Sequence, residues 1–280
     1  MPLSRLEKAD RSTDLIGMRH YLLLVAVATV ATVSTAPADE AEDDRQTTMM
    51  KKDLVETTTQ MMKKSLEQQR QKTSSVNDGG RLLSLPNAES CKNRPKHFEL
   101  NGHWYFLSSN TTEHKDAKND WLDSRNLCRK YCMDAVSIET EEENEIVFNL
   151  VKKERLPYIW TSGRLCNFKG CEDREDLRPL EVLGWFWSAS GVKVSPTNKK
   201  PEGWENQPWS QTGHFKRPQP DNAEFEINET TEACLAVLNN VYKDGIAWHD
   251  IGCYHTKAVL CEDNDQLLKY IAATNRGIIL

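Results

Sequence analysis

Oxygen-bearing side chains that could hold a cation are concentrated towards the carboxyl end of the chain. Asp221, Glu232 and Asp250 supply carboxylates, Gln219 supplies an amide, and His249 lies beside Asp250. Cysteines interspersed among them could tie the segments together. Calcium binds about six to eight oxygen ligands, mostly carboxylates and carbonyls. This stretch therefore predicts a cation or ligand site on a disulfide scaffold.

The three carboxylates need a compensating positive charge. Without one they would repel each other, and at least one would have a raised pKa. Calcium is one candidate, and protonated His249 paired with a neighbouring carboxylate is the other. The sequence leaves both alternatives open.

Charge and cysteine content restrict the class of protein. The chain has 280 residues and a formal net charge of -6 with interspersed signs. A nucleic-acid partner is not expected, because that requires a clustered basic surface. All eight cysteines lie between Cys91 and Cys261. Their even number, without closely paired Cys-x-x-Cys spacing, favours four disulfides in an exported protein over metal thiolates.

The amino terminus predicts export. A basic pair precedes the apolar run Tyr21–Val33, and small residues follow up to Ala38. This order is typical of a secretory signal peptide, here residues 1–36, with Met18 as an alternative start. The run is shorter than the roughly 20 residues of a membrane-spanning helix. We expect cleavage after Ala36 or Ala38, and an uncleaved signal anchor is the alternative.

Residues 37–90 are predicted to form a flexible polar linker. An acidic run is followed by polar, low-complexity sequence with too few apolar residues to offset the entropy of ordering. The alternative is a short oligomerising stalk, because Met50, Leu54, Met61 and Leu66 form a weak helical stripe.

Beyond Cys91 the patterns predict a mixed α and β domain. The segment His97–Leu107 is expected to form a hairpin around an Asn-Gly turn, and Met133–Ile138 is expected to form a buried strand. Helices are predicted over Asp120–Cys128 and over Thr140–Val151, the second opened by a capping box.

The order of these motifs resembles the C-type lectin-like domain family. The resemblance covers residues 91–263 and leaves 264–280 as a C-terminal tail. It implies an α+β, C-type lectin-like fold with two helices, small antiparallel sheets, long loops and disulfide stabilisation. The Trp-His-Asp motif together with the Cys166–Cys171 loop most resembles secreted arthropod members. The matching segments are Ile159-Trp160-Thr161-Ser162-Gly163, Gly184-Trp185-Phe186-Trp187, Gln219-Pro220-Asp221, Glu232-Ala233-Cys234, Trp248-His249-Asp250-Ile251-Gly252-Cys253 and Cys261-Glu262.

The resemblance also implies the disulfides and the ligands. It pairs Cys128 with Cys261 and Cys234 with Cys253; with a local Cys166–Cys171 bridge, Cys91 then pairs with Cys132. Its calcium ligands map to Gln219, Asp221, Glu232 and Asp250, with the backbone carbonyl of Asp250 as a fifth oxygen. The family usually has a ligating asparagine at the position of His249. Because imidazole nitrogen is a poor calcium ligand, the resemblance implies that His249 weakens the calcium site without abolishing it.

A galactose-type ligand is implied by the Gln-Pro-Asp form of the turn. In such members an aromatic ring near this point contacts the apolar face of the sugar, and Phe225 is the candidate here. Its alternative role is to anchor an enlarged loop. Asn110 and Asn228 begin glycosylation sequons, which suit a secreted surface.

Two functions remain open. The first is a secreted lectin that binds galactose-like sugars on glycans or microbial surfaces with calcium; the second is a module on the same scaffold that recognises an extracellular protein. An enzyme is not expected. Ser188, His214, His249 and Asp250 lack the motif of a hydrolytic triad, and His249 with His255 lacks that of a zinc protease.

Overall fold

The computed structural model describes residues 81–117 and 119–280, together with residues 52, 56, 57 and 60. The predicted signal peptide lies outside the described residues. So do Met50, Leu54, Met61 and Leu66 of the alternative stalk. No helix in the described part of the chain is long and apolar enough to cross a membrane.

Helices and mostly antiparallel strands occur together in the described part of the chain, which confirms the α+β class. The strands are β1 (Phe98–Leu100), β2 (His103–Leu107), β3 (Met133–Ala135), β4 (Tyr158–Leu165), β5 (Trp185–Trp187), β6 (Cys234–Asn239), β7 (Ile246–Ile251) and β8 (Ala258–Asp263). The helices are α1 (Ala88–Lys92), α2 (Trp121–Lys130), α3 (Glu141–Lys153), α4 (Leu180–Leu183), α5 (Ala223–Asn228) and α6 (Asp265–Thr274).

The strands form one sheet in the order β1-β2-β8-β4-β6-β7, with β3 paired to β8 and β5 paired to β4. The strand pairs are antiparallel, as expected, with one exception. The exception is that β4 and β8 run parallel, with Ile159 opposite Ala258 and Trp160 opposite Val259. Parallel neighbours need a long connection, and about ninety residues separate these strands. This pair joins the two halves of the sheet.

The two predicted long helices form as expected. The Asp120 side chain caps α2, whose Trp121 and Cys128 are buried. Thr140 caps α3 by accepting the N–H of Glu143. The capping box is nevertheless only half made, because the Glu143 carboxylate accepts the N–H of Glu139 instead of that of Thr140.

All four expected disulfides are confirmed. Cys128–Cys261 joins α2 to β8 across a sequence separation of 133, and closing so long a loop contributes roughly 4 to 5 kcal/mol in the chain-entropy model. Cys234–Cys253 joins the start of β6 to the residues after β7. The other two pairs are Cys91–Cys132 and Cys166–Cys171.

Segments beyond residues 91–263 also pack on the domain. Arg81 forms ion pairs with Asp120 and Asp123. Within α6, Leu267 and Ile271 are buried against the Cys91–Cys132 disulfide. A helix thus occupies the predicted tail because its apolar face covers a disulfide that would otherwise be exposed.

A buried charge cluster offers a test of the core. Asp134 is 1% exposed, and Arg125 donates to both of its oxygens at 2.8 Å, with Arg129 at 3.2 Å. Burial alone would raise the pKa of Asp134, but the two guanidinium groups hold it below its usual value.

We predict that Arg125→Met lowers the free energy of unfolding by about 3 kcal/mol, because it leaves a buried carboxylate with one partner fewer. The control is Arg174→Met, which breaks an exposed ion pair with Asp176 and should change stability far less, because solvent screens exposed pairs. Denaturant titration measures both. Equal effects of the two substitutions would contradict the prediction.

Candidate metal centre

Three carboxylates converge where the loop after Pro220 meets the sheet. Asp221 follows the proline, Glu232 precedes β6, and Asp250 lies in β7. One carboxylate oxygen from each lies within 4.8 Å of the others. Glu232 and Asp250 are buried, with 8% and 2% of their surface exposed. The structure therefore brings together three of the predicted ligands.

Backbone amides hold the three acids in place. The Asp250 carboxylate accepts the N–H of Asp221 at 3.1 Å and that of Asn222 at 2.8 Å. The Asn222 side chain accepts the N–H of Glu232 at 2.8 Å, and the N–H of Glu224 donates to the Glu232 carboxylate at 3.2 Å. The acids thus fold the loop onto β7 by their own hydrogen bonds.

The electrostatics of the cluster favour protons or a cation. Burial, together with repulsion from Asp250, raises the pKa of Glu232 to about 8. Burial likewise raises the pKa of Asp250 to about 7, although two backbone N–H groups oppose the shift. At neutral pH the metal-free cluster therefore keeps protons that a cation would displace.

One oxygen of the cluster is left over. Asp221 Oδ2 is buried and has no hydrogen-bond partner among the described residues. An unpaired buried carboxylate oxygen is costly unless a proton or cation satisfies it. Clustered carboxylates are also the donor set that calcium prefers. The residues present therefore fit a hard divalent cation.

Gln219 is buried at the edge of this loop. It is 5% exposed, and its backbone N–H donates to the carbonyl of Ser210 at 2.8 Å. Its amide packs so closely on Gly213 that a Cβ there would lie 2.1 Å from Gln219 Nε2. A larger residue at 213 would therefore displace the Gln219 amide.

His249 contacts a residue outside the cluster. Its Nε2 lies 2.9 Å from Asp244 Oδ2, and the two side chains are 1% and 4% exposed. Burial lowers the pKa of His249 although Asp244 opposes the shift. His249 therefore pairs with a carboxylate, as the alternative to calcium expected, but its partner is Asp244 outside the cluster and burial disfavours the protonated ring.

Phe225 does not anchor the loop, since it is 50% exposed on α5. The anchor is Glu224, which accepts the N–H of Gly252 at 3.1 Å and contacts His255 Nε2 at 2.9 Å. The hydroxyl of Tyr254 also donates to Glu224. Charged residues in a helix-forming segment are common, so no sequence signal marked Glu224. The sequon residues Asn110 and Asn228 are both exposed.

The residues considered for enzyme chemistry have other contacts. Ser188 Oγ donates to the carbonyl of Ser162 at 2.7 Å, and the His214 ring contacts Phe215 and Tyr242. His255 contacts Glu224 rather than His249. Within the described part of the chain, these contacts assemble neither a triad nor a histidine zinc site.

Comparisons place the chain beside solved structures of similar fold. No protein-family model matches it, and no curated protein matches it. The structure of SPL-1 in a GlcNAc complex shares 17% identity, with 62% of this chain and 98% of that chain covered and a TM-score of 0.40. The mouse scavenger receptor C-type lectin carbohydrate-recognition domain shares 18% identity, with 61% of this chain and 97% of that chain covered and a TM-score of 0.38. The C-type lectin CEL-I from Cucumaria echinata shares 20% identity, with 60% of this chain and 94% of that chain covered and a TM-score of 0.37.

The raised pKa values predict how the metal-free protein responds to pH. Folded Asp250 and Glu232 hold protons that the unfolded chain releases near pH 4, so stability is lost as pH rises towards 8. In EDTA, we expect the free energy of unfolding to fall by up to about 1.4 kcal/mol per pH unit from Asp250 alone between about pH 5 and 7.

Asp250→Asn should flatten this dependence, because the amide does not titrate. The control is Asp176→Asn, which removes an exposed carboxylate whose pKa is lowered to about 2 by Arg174 and should leave the slope as it is. Denaturant titrations at several pH values measure the slopes. A slope that is unchanged in Asp250→Asn would show that Asp250 is ionised throughout this range.

Proposed function

We propose that the chain is a secreted, calcium-dependent carbohydrate-binding module of the C-type lectin kind. The observation that carries the proposal is the convergence of Asp221, Glu232 and Asp250 within 4.8 Å. Its support from the sequence is the Gln-Pro-Asp turn and the Trp-His-Asp motif, which place these acids at the ligand positions of that family. The arthropod-type assignment belongs to the same proposal.

The ligand count is sufficient for calcium when a sugar is bound. The three carboxylates, the amide oxygen of Gln219 and the backbone carbonyl of Asp250 would supply five oxygens. Two adjacent sugar hydroxyls would bring the total to about seven, which lies within the range that calcium accepts. Without the usual asparagine ligand, we expect affinity at the weak end of about 10⁻⁴ to 10⁻³ M for extracellular calcium modules.

The sugar class follows from the motif and from one exposed ring. The Gln-Pro-Asp turn supports a galactose-type ligand. Phe225 is half exposed on α5, four residues beyond Asp221, and an exposed aromatic ring near the cation could cover the apolar face of the sugar. Phe225 would then be a contact residue of the ligand and not of the loop.

A protein-recognition module is the second candidate. It is favoured by His249, whose ring contacts Asp244 and does not add a ligand to the cluster. Exposed apolar side chains also lie on α5 and just after β7, namely Phe225, Ile227 and Tyr254. Such residues are typical of contact surfaces for extracellular proteins.

Secretion is part of the proposal. The predicted signal peptide over residues 1–36 supports it, as do four disulfides, which persist in oxidising compartments. The exposed positions of Asn110 and Asn228 suit glycosylation there. A glycan on Asn228 would crowd the site, because this residue ends α5, and would favour small terminal sugars.

We predict that the protein is retained on galactose-agarose in calcium and elutes in EDTA. Asp221→Asn should reduce retention about tenfold or more, because it weakens one of three carboxylate ligands. The control is Asp173→Asn, an exposed acid in another loop, which should behave as the wild type. Retention that survives EDTA, or is absent on galactose, mannose and GlcNAc resins alike, would favour the protein-recognition module.

A further inference from the structure

The loop that carries Gln219 and Asp221 is joined to β7 at a second place, away from the three carboxylates. We call residues 208–222 the site loop. The N–H of Ser210 donates to the carbonyl of Trp248 at 3.1 Å, and the N–H of Trp248 donates to the carbonyl of Pro208 at 2.8 Å. The N–H of Gln219 in turn donates to the carbonyl of Ser210 at 2.8 Å. Ser210 therefore lies between β7 and the metal-ligand end of the loop.

A buried carboxylate reinforces this place. Asp244, in the turn between β6 and β7, accepts the hydroxyl of Ser210 at 2.6 Å. The same oxygen lies 2.9 Å from Nε2 of His249. One oxygen of Asp244 thus contacts both the site loop and the strand that carries Asp250.

Burial makes these contacts matter. The side chains of His249 and Asp244 are 1% and 4% exposed, and Ser210 is 3% exposed. The Ser210 hydroxyl donates to the Asp244 carboxylate, and a hydrogen bond to a carboxylate is stronger than one between neutral groups. A buried carboxylate deprived of this donor is costly. The free energy of lifting the site loop from β7 therefore includes exposing or orphaning Asp244.

We propose that Asp244, acting with His249 and Ser210, is a positioning residue that holds the site loop against β7 when no cation is bound. The proposal rests on the proposed function, since the loop it holds carries the cation ligands Gln219 and Asp221. In this proposal His249, at the position of the family's usual asparagine ligand, contacts Asp244 instead of the cation. The site would lose one ligand and gain a loop that is already in place before the cation arrives.

Proteolysis can report on the loop directly. Lys216 is exposed at the tip of the turn that the N–H of Gly213 closes by donating to the carbonyl of Arg217. Trypsin can cut after Lys216, whereas the proline at 218 protects the bond after Arg217. Cutting needs local opening, so its rate follows the population of the lifted loop. Lys169, exposed in the Cys166–Cys171 loop, provides a reference cut elsewhere in the same molecule.

In EDTA, we expect wild-type cleavage after Lys216 to be slow already, because the loop is held without a cation, and calcium should slow it further to the extent that it binds only the closed loop. In Asp244→Ala it should be about tenfold faster or more, relative to the cut after Lys169. Ser210→Ala should accelerate it as well, because it removes the hydrogen bond between the site loop and Asp244. Asp173→Ala, which removes an exposed acid, should match the wild type.

Cleavage of Asp244→Ala at the wild-type rate in EDTA would overturn the proposal. So would fast wild-type cleavage in EDTA that calcium suppresses, since the cation alone would then order the loop. If Asp244→Ala unfolds as a whole, both cuts accelerate together, and Ser210→Ala decides by the ratio of the two cuts. Calcium should slow the cut after Lys216 in Asp244→Ala. If calcium does not slow it, the proposed calcium binding is contradicted. The comparison of wild type with Asp244→Ala in EDTA still tests the role of Asp244.

Discussion

The burial of Glu232 and Asp250 beside a third carboxylate, that of Asp221, is the constraint on which the rest of the site depends. Asp221 lies in a loop, Glu232 lies just before β6, and Asp250 lies in β7. Only a stable framework can hold three acids from such different segments close together. Burial, and after it the repulsion between the acids, raises the pKa values of Glu232 and Asp250. A cation offsets both effects by replacing the protons, which converts an unfavourable arrangement into a binding site.

The framework resists that repulsion by covalent and hydrogen-bonded ties close to the acids. Cys234, at the start of β6, is bonded to Cys253 just after β7, and the pairing of β6 with β7 sets Leu235 opposite Asp250. The Asp250 carboxylate in turn accepts two backbone amides of the loop. On the other side, Glu224 secures α5 to the residues after β7. Strand geometry therefore positions one acid, and that acid positions the others.

Much of this was predictable, and the exceptions have physical reasons. The family resemblance carried by the cysteines, tryptophans and acids implied the disulfide pairing and the three carboxylates. The contacts of Asp244 with Ser210 and His249 could not be predicted, because an Asp before a Gly is common in ordinary turns. The orientation of His249 could not be inferred, since it depends on that unrecognised partner. The parallel pairing of β4 with β8 was missed because each strand alone fits an antiparallel neighbour equally well.

The most direct test of the account is the number of protons released when calcium binds. Calcium is titrated by calorimetry at pH 7 in two buffers of different ionisation enthalpy. With pKa values of about 8 and about 7 for Glu232 and Asp250, the account predicts release of between about one and two protons per calcium. Asp250→Asn should bind more weakly and release fewer. Binding without proton release would contradict it, because the cation would then occupy a different site; the absence of binding would contradict it as well.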